Sequence, residues 1–204
     1  MAFNPSKKNI PLLKPRTSEV LPQKIATPPE KSIGEKGREG EQALAEWFSD
    51  NGLAYVAVSQ NKDTFARLFR HEVKRPDFLL LFDSLGMIAV DAKNITPYQP
   101  NKIVYYTLPL EEEVKKAIAF ERIFRMPVWY AVMENVGQEV CWHWISALKA
   151  VEVGFVETNA EKGVQFLKIK RDDFVRISTG ADLAKLYLQR LPALKNLSRL
   201  PLGA

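Results

Sequence analysis

Residues 75–94, RPDFLLLFDSLGMIAVDAKN, contain two apolar runs that are separated by a short polar segment. The runs Phe78–Phe82 and Met87–Val90 have the length and composition of buried β-strands. Between them, the sequence Asp83-Ser84-Leu85-Gly86 is typical of a tight turn. The stretch therefore predicts a β-hairpin, and this hairpin determines which polar residues meet.

The strand ends of the predicted hairpin carry charged residues. If the chain turns about Ser84-Leu85, Asp77 at the start of one strand lies almost opposite Asp91 and Ala92 near the end of the other. Asp91 and Lys93 are two residues apart on a strand, so their side chains project from the same face. Two carboxylates and an ammonium group are thereby expected at one edge of the sheet.

Two neighbouring carboxylates repel each other unless a positive charge lies between them. Mg²⁺ is the expected cation, because it prefers oxygen ligands in octahedral geometry and keeps several of its waters; Mn²⁺ is expected to substitute for it. Lys93 would then orient a metal-bound water and stabilise the negative charge that develops on a phosphate. The alternative is an ion-pair cluster at a strand end that binds no metal.

Apolar periodicity predicts further elements on both sides of the hairpin. Helices are expected from about residue 34 to the cap signal Asn51-Gly52, from Leu110 to Phe124, and at Ala181–Arg190. Strands are expected at Leu53–Ser59, Ile103–Thr107, Val128–Met133, Val140–Ile145, Val151–Val156 and Val164–Lys170. This order predicts an α/β sandwich with a mixed central sheet and helices packed on its faces.

Proline content and charge divide the chain into three parts. Six of the thirteen prolines lie before residue 30, and residues 1–34 hold six Lys/Arg against two Asp/Glu. The predicted organisation is a Pro-rich, basic, disordered leader at 1–33, a globular domain at 34–191 and a tail at 192–204. The leader is either a solvated tail or an arm that binds nucleic acid or a protein partner.

Composition argues against several classes of protein. The single cysteine, Cys141, allows no internal disulfide and no cysteine-based zinc site, and two histidines are too few for a histidine-rich centre. Any divalent metal is therefore expected to be held mainly by carboxylates. No apolar run approaches the roughly 18 residues of a membrane span, and the N-terminus lacks a signal-peptide pattern. The expected protein makes no membrane contact and is cytoplasmic.

The charged residues of the hairpin resemble a known family. Pro76-Asp77, followed across the hairpin by Asp91-Ala92-Lys93, is similar to the signature of the PD-(D/E)xK nuclease superfamily. Upstream, residues 36–41 (KGREGE) open an amphipathic helix and look like the KGxxxE helix of archaeal-type Holliday junction resolvases. Downstream, residues 119–132 (AFERIFRMPVWYAV) resemble the helix and strand that follow the active site in those enzymes. Together these motifs cover about residues 35–134.

This resemblance implies a restriction-endonuclease-like α/β/α sandwich and metal-dependent hydrolysis of phosphodiester bonds in DNA. It also implies that Glu41, Asp77 and Asp91 are catalytic, metal-binding carboxylates, that the Ala92 carbonyl is a further ligand and that Lys93 is the catalytic lysine. Duplex or branched DNA is the expected substrate, and a homodimer would supply two sites for cutting two strands. The rival interpretations are a nucleic-acid-binding module without turnover and an assembly protein of a mobile element.

A basic segment lies just before the first of these carboxylates. It is expected to contact phosphates that flank the cleaved bond, the alternative being a solvated loop. The residues of this segment are Lys62, Arg67, Arg70, Lys74 and Arg75, of which the last four are the predicted nucleic-acid-binding residues. His71 lies among them, and it is more simply a loop residue than a proton shuttle.

Overall fold

The predicted hairpin is present and lies within a six-stranded sheet. The computed structural model describes residues 32–61, 72–82, 86–137, 139–160 and 163–189. The helices are α1 (Ile33–Asp50), α2 (Lys116–Phe124), α3 (Ala147–Val153) and α4 (Leu186–Gln189). The strands are β1 (Tyr55–Ala57), β2 (Phe78–Phe82), β3 (Gly86–Lys93), β4 (Tyr105–Pro109), β5 (Val128–Val136), β6 (Glu139–Ser146), β7 (Phe155–Thr158), β8 (Gln165–Lys170) and β9 (Val175–Ile177).

The two hairpin strands pair in the register that the sequence predicts. β2 and β3 are antiparallel, with Phe78 opposite Val90 and Leu80 opposite Ile88. β3 extends beyond the apolar run as far as Lys93, so Asp91 and Lys93 lie on the strand as predicted. The predicted turn residues 83–85 lie outside the described part of the chain.

The central sheet is mixed, as predicted. Its strand order is β1-β2-β3-β5-β6-β9. β3 and β5 are parallel, and the other neighbouring pairs are antiparallel. The chain crosses from β3 to β5 through β4 and α2, because a parallel pair cannot be joined by a tight turn. This crossover contains Glu113, which lies in the candidate site.

Helix α1 is defined by caps at both ends. It begins one residue before the predicted start, because the Ser32 hydroxyl accepts the backbone N–H of Glu35 at 3.3 Å and the Glu35 carboxylate accepts the N–H of Ser32 at 2.8 Å. It ends at the predicted signal, where Asn51 caps the helix and Gly52 adopts a φ of +65°. The caps thereby fix where the helix begins and where it ends.

Helices cover both faces of the central sheet. On one face, Leu44 and Phe48 of α1 pack in the same core cluster as Trp142 and Trp144 of β6. The two tryptophans alternate along β6 and are fully buried in this core. On the other face, a second cluster joins α2 and α3 to the sheet through Ala117, Phe120, Tyr130, Val132, Ile145, Ala147 and Ala150. The molecule is therefore an α/β fold with a mixed central sheet flanked by helices.

The region after residue 146 differs from the prediction. The predicted strand Val151–Val156 is wrong, since α3 occupies Ala147–Val153 and β7 follows it. Ser146 starts the helix by accepting the Lys149 N–H at 3.1 Å. Gly154 then allows the backbone to pass close to the Leu167 side chain, because a Cβ at this position would lie 2.6 Å from the Leu167 Cγ atom. β7 pairs with β8, and β8 pairs with β4, in a second, antiparallel sheet that the sequence did not predict.

Several boundaries also differ. β1 is shorter than the predicted strand, and β4 is shifted by two residues from the predicted Ile103–Thr107. The predicted C-terminal helix begins as a 3-10 segment at Gly180–Lys185 before α4.

The leader up to residue 31 and the tail lie outside the described residues. Within the described ranges, no helix combines the length and apolarity that crossing a bilayer requires.

Phe48→Ala is expected to destabilise the fold strongly. The ring centroid of Phe48 lies 5.5 Å from that of Phe78 and 5.2 Å from that of Tyr55, in a fully buried position. Removing this ring leaves a cavity, so urea denaturation should show a loss of about 3–5 kcal/mol in the free energy of unfolding. The control Phe155→Ala, at a side chain that is 57% exposed, should cost less than about 1 kcal/mol. Equal losses in the two variants would contradict the proposed packing.

Candidate active site

Asp77 and Asp91 face each other across the β2–β3 pair, as predicted. The backbone N–H of Asp77 donates to the Val90 carbonyl at 3.0 Å. The Asp77 Oδ2 atom accepts the backbone N–H of Ala92 at 2.8 Å, and its Oδ1 atom lies 3.4 Å from the Gln60 amide nitrogen. These contacts hold the Asp77 carboxylate beside the last residues of β3.

Asp91 and Lys93 share one face of β3, also as predicted. The Lys93 Nζ atom lies 2.7 Å from Asp91 Oδ2, and the Lys74 Nζ atom lies 3.5 Å from Asp91 Oδ1. The Asp91 side chain is only 1% exposed. Both lysines therefore place positive charge beside this buried carboxylate and stabilise its ionised form.

Glu113 is a member of the cluster that the sequence did not reveal. It lies in a π-helical turn at Leu110–Lys115, just before α2. Its Oε2 atom lies 2.8 Å from Lys93 Nζ and 3.0 Å from Lys74 Nζ. The Tyr130 hydroxyl of β5 donates to its backbone carbonyl at 3.3 Å. Single π-helical turns often occur at functional sites, but no sequence pattern marked this one.

Helix α1 brings Glu41 to the same cluster. The residue before it, Gly40, is buried against the end of β3, where an added Cβ would lie 3.0 Å from the Asn94 Cβ. Gly40 thus allows the helix to approach the strand closely. Burial and the negative charge of Asp91 raise the pKa of Glu41. The KGREGE motif therefore contributes both a close packing contact and a third carboxylate.

The carboxylates of this site differ strongly in their proton affinity. Burial and the neighbouring charge of Asp91 raise the pKa of Asp77 to about 8. Burial opposes ionisation of Asp91 as well, but the charges of Lys93 and Lys74 outweigh it and lower the Asp91 pKa. Burial also disfavours the Lys93 ammonium, whereas Asp91 and Glu113 outweigh that effect and raise the Lys93 pKa. Asp91 and Lys93 are therefore a stable ion pair, and Asp77 is the carboxyl group that retains a proton.

The charges of the cluster suit a divalent cation. When ionised, the carboxylates of Glu41, Asp77, Asp91 and Glu113 exceed the ammonium groups of Lys74 and Lys93 by two negative charges. Oxygen ligands of this kind match Mg²⁺ and Mn²⁺. The N–H and C=O groups of one strand residue point to the same side, so the Ala92 carbonyl also faces the side of Asp77. The residues predicted to hold the metal can therefore supply an oxygen-only site.

The basic residues predicted to contact DNA fall into two groups. Arg67 and Arg70, together with Lys62 and His71, lie outside the described residues. Lys74 belongs to the charged cluster itself. The Arg75 guanidinium donates to the backbone carbonyls of Ser59, Gln60 and Asn61 at 3.1, 2.9 and 2.7 Å, which fixes the segment that follows β1.

Comparisons with protein-family models, with curated proteins and with solved structures give no match for this chain.

Asp77→Asn is expected to remove a pH dependence of stability from the metal-free protein. The folded chain keeps a proton on Asp77 up to about pH 8, whereas the unfolded chain releases it near the ordinary pKa of 3.8. The free energy of unfolding should therefore fall as the pH rises between these values and level off above pH 8. In urea denaturation with EDTA, the wild type should lose on the order of 1–3 kcal/mol more than the variant between pH 5 and pH 8.

The exposed Asp50→Asn substitution serves as the control and should follow the wild-type curve. Parallel pH curves for the wild type and Asp77→Asn would contradict the assigned proton on Asp77.

Proposed function

We propose that this chain is a metal-dependent deoxyribonuclease with a restriction-endonuclease-like fold and a PD-(D/E)xK active site. The observation that carries the proposal is the buried meeting of Asp77, Asp91 and Lys93 at the end of one hairpin, with Glu41 brought in from α1. Buried carboxylates this close together are costly unless positive charge lies among them, and Lys74 and Lys93 offset only part of their charge when all four are ionised. Among oxygen-ligand sites, metal-assisted hydrolysis of a phosphodiester explains both the acidic residues and the lysine.

In this proposal Glu41, Asp77, Asp91 and the Ala92 carbonyl hold Mg²⁺, for which Mn²⁺ can substitute. The cation, when bound, supplies Lewis-acid activation of water and offsets the negative charge of the phosphate. Binding it requires Asp77 to give up its proton, because only the ionised carboxylate is a good ligand.

Lys93 has a separate task from the metal ligands. Its ammonium group is fixed between Asp91 at 2.7 Å and Glu113 at 2.8 Å, and these carboxylates keep it protonated. A fixed positive charge at this position orients the attacking water and stabilises the charge that grows on the phosphate oxygens. Glu113 is a positioning residue, since it contacts Lys93 and Lys74 rather than the substrate.

DNA is the proposed substrate, duplex or branched, and its phosphates would supply most of the affinity. Arg67, Arg70, Lys74 and Arg75 are the proposed contacts, because they precede Asp77 directly in the chain. Binding that depends on phosphates weakens steeply as salt concentration rises. A homodimer would present two such sites for the two strands of a duplex, and the proposed location is the cytoplasm.

Cleavage of a mixed panel of DNA substrates tests the proposed activity. Supercoiled plasmid, linear duplex, single-stranded and branched DNA are incubated with the wild type in Mg²⁺ or Mn²⁺, and with Asp91→Asn and Lys93→Met. Each variant should lose at least about 100-fold in rate, because one loses a metal ligand and the other the fixed charge. The control Lys115→Met should cleave like the wild type, because its exposed ammonium pairs with Glu111 on the surface of the π-helical turn.

If the wild type neither cleaves any substrate nor binds Mg²⁺, the proposal is wrong. DNA binding by a chain that cleaves nothing would also overturn the nuclease and would favour a binding module.

Glu113→Gln tests the positioning role of that residue. Lys93 would keep Asp91 but lose its second carboxylate, so kcat should fall roughly 10- to 100-fold while the Kd for DNA stays unchanged. The alkaline limb of the pH–rate profile should move to lower pH, because the Lys93 proton is held less tightly. Glu111→Gln is the matched control, since Glu111 pairs with an exposed lysine outside the cluster. An unchanged profile in Glu113→Gln would exclude the positioning role.

A further inference from the structure

A second group of potential metal ligands lies on the β5–β6 hairpin. Glu134 of β5 is directly opposite Cys141 of β6, and His143 follows Cys141 by two residues on the same face. Among the described residues, this is the one set of at least three acidic, cysteine and histidine side chains whose ligand atoms all lie within 4.8 Å of one another. It shares no residue with the Asp77–Asp91 cluster.

The three ligand atoms converge in a mostly buried position. The Cys141 Sγ atom lies 3.8 Å from His143 Nε2 and 4.0 Å from Glu134 Oε2. His143 Nε2 and Glu134 Oε2 are in direct hydrogen-bond contact. Cys141 and His143 are only 4% and 7% exposed, respectively. A thiol, an imidazole and a carboxylate are thus gathered in one mostly buried group.

We propose that Glu134, Cys141 and His143 bind one thiophilic divalent cation of the Zn²⁺ class. Tetrahedral zinc with ordinary bond lengths places sulfur, nitrogen and oxygen ligands roughly 3.3–3.6 Å apart, close to the separations of the sulfur from its two neighbours here. The Glu134 oxygen needs only to move away from the imidazole to admit the ion. Three protein ligands leave a fourth position for water, and a cavity of about 400 Å³ lined by these side chains gives access to it.

The surroundings of the trio fix the ligand atoms. Arg171 binds the other carboxylate oxygen of Glu134, Oε1, at 3.0 Å, which turns Oε2 toward the cysteine and histidine. His143 Nδ1 is buried and has no hydrogen-bond partner among the described residues, so Nε2 is the ring nitrogen that faces the other ligands. The Arg171 contact is of the orienting kind that is typical around metal centres, because it is made to the carboxylate oxygen that does not bind the metal.

Charge and proton affinity are compatible with such a site. Burial lowers the pKa of His143, which keeps its ring neutral and able to coordinate. Burial raises the pKa of the Cys141 thiol, so the ion must displace the thiol proton, and binding should weaken in acid. Zn²⁺, one thiolate and one carboxylate together carry no net charge. Arg171 and Arg176, which line the same cavity, add positive charge beside the site and favour the ionised forms of Glu134 and Cys141.

This inference revises an expectation from the sequence. A lone cysteine excludes a site built of several cysteines, but a mixed site with one thiolate, one imidazole and one carboxylate needs only one. The bound ion would join the two strands next to the turn at Gly137 and thereby hold the β5–β6 hairpin closed.

Cobalt substitution tests the site directly. The full chain is stripped with EDTA and titrated with Co²⁺, and binding at Cys141 should give a thiolate-to-cobalt charge-transfer band in the near ultraviolet at one ion per chain. Because Cys141 is the only cysteine, the band reports this residue alone. Zn²⁺ should abolish the band by displacement. At about 100 times its Kd, Zn²⁺ should also raise the Tm by roughly 5–10 °C.

Variants separate this site from the proposed nuclease site. Cys141→Ser should lose the band, and His143→Gln should weaken Co²⁺ binding at least about 10-fold. His71→Gln, at the other histidine of the chain, and Asp91→Asn should both retain the band. A wild type that shows no charge-transfer band in excess Co²⁺ overturns the proposal whether or not the variants fold. Because Asp91→Asn disables only the nuclease site, failure of the proposed cleavage activity leaves this test intact.

Discussion

The ion pair between Asp91 and Lys93 is the interaction on which the candidate site depends. A carboxylate inside a sheet loses most of its hydration, and positive charge within a few ångströms is required to keep it ionised. Lys93 supplies that charge from the same face of the same strand, and Lys74 and Glu113 complete a buried network around it. Asp77 and Glu41 add two carboxyl groups whose ionisation burial and the charge of Asp91 oppose, so their pKa values are raised.

The part of the site that the sequence predicted is the part fixed by local rules. Strand alternation and a short turn determine which residues of a hairpin face each other, so the Asp77–Asp91 pair follows from counting residues outward from the turn. Lys93 follows from the period of two along β3. Glu41 depends in addition on the packing of α1 against the end of β3 at Gly40, and here the motif resemblance, rather than periodicity, pointed to the residue.

The features that the sequence did not predict depend on tertiary structure. Glu111, Glu112 and Glu113 are equivalent in the sequence, and only the π-helical turn decides that the third one points into the cluster while the first two pair with surface lysines. The Val-x-Val pattern at 151–153 suits a strand as well as a helix, and the serine cap decided for the helix. The predicted strands also ended before Glu134, so its pairing with Cys141 was not visible.

Strand β5 is shared by both clusters. Its neighbour on one edge is β3, where Lys93 of the acidic cluster pairs with Val132. Its neighbour on the other edge is β6, where Cys141 pairs with Glu134, two residues further along β5. Adding or removing a single residue within β5 would exchange the two faces of the strand beyond that point and separate Glu134 from its neighbours. In a related chain that keeps both clusters, residues of β5 other than Glu134 can therefore be substituted, but the length of the strand cannot change. Insertions and deletions are then expected in the connections between elements.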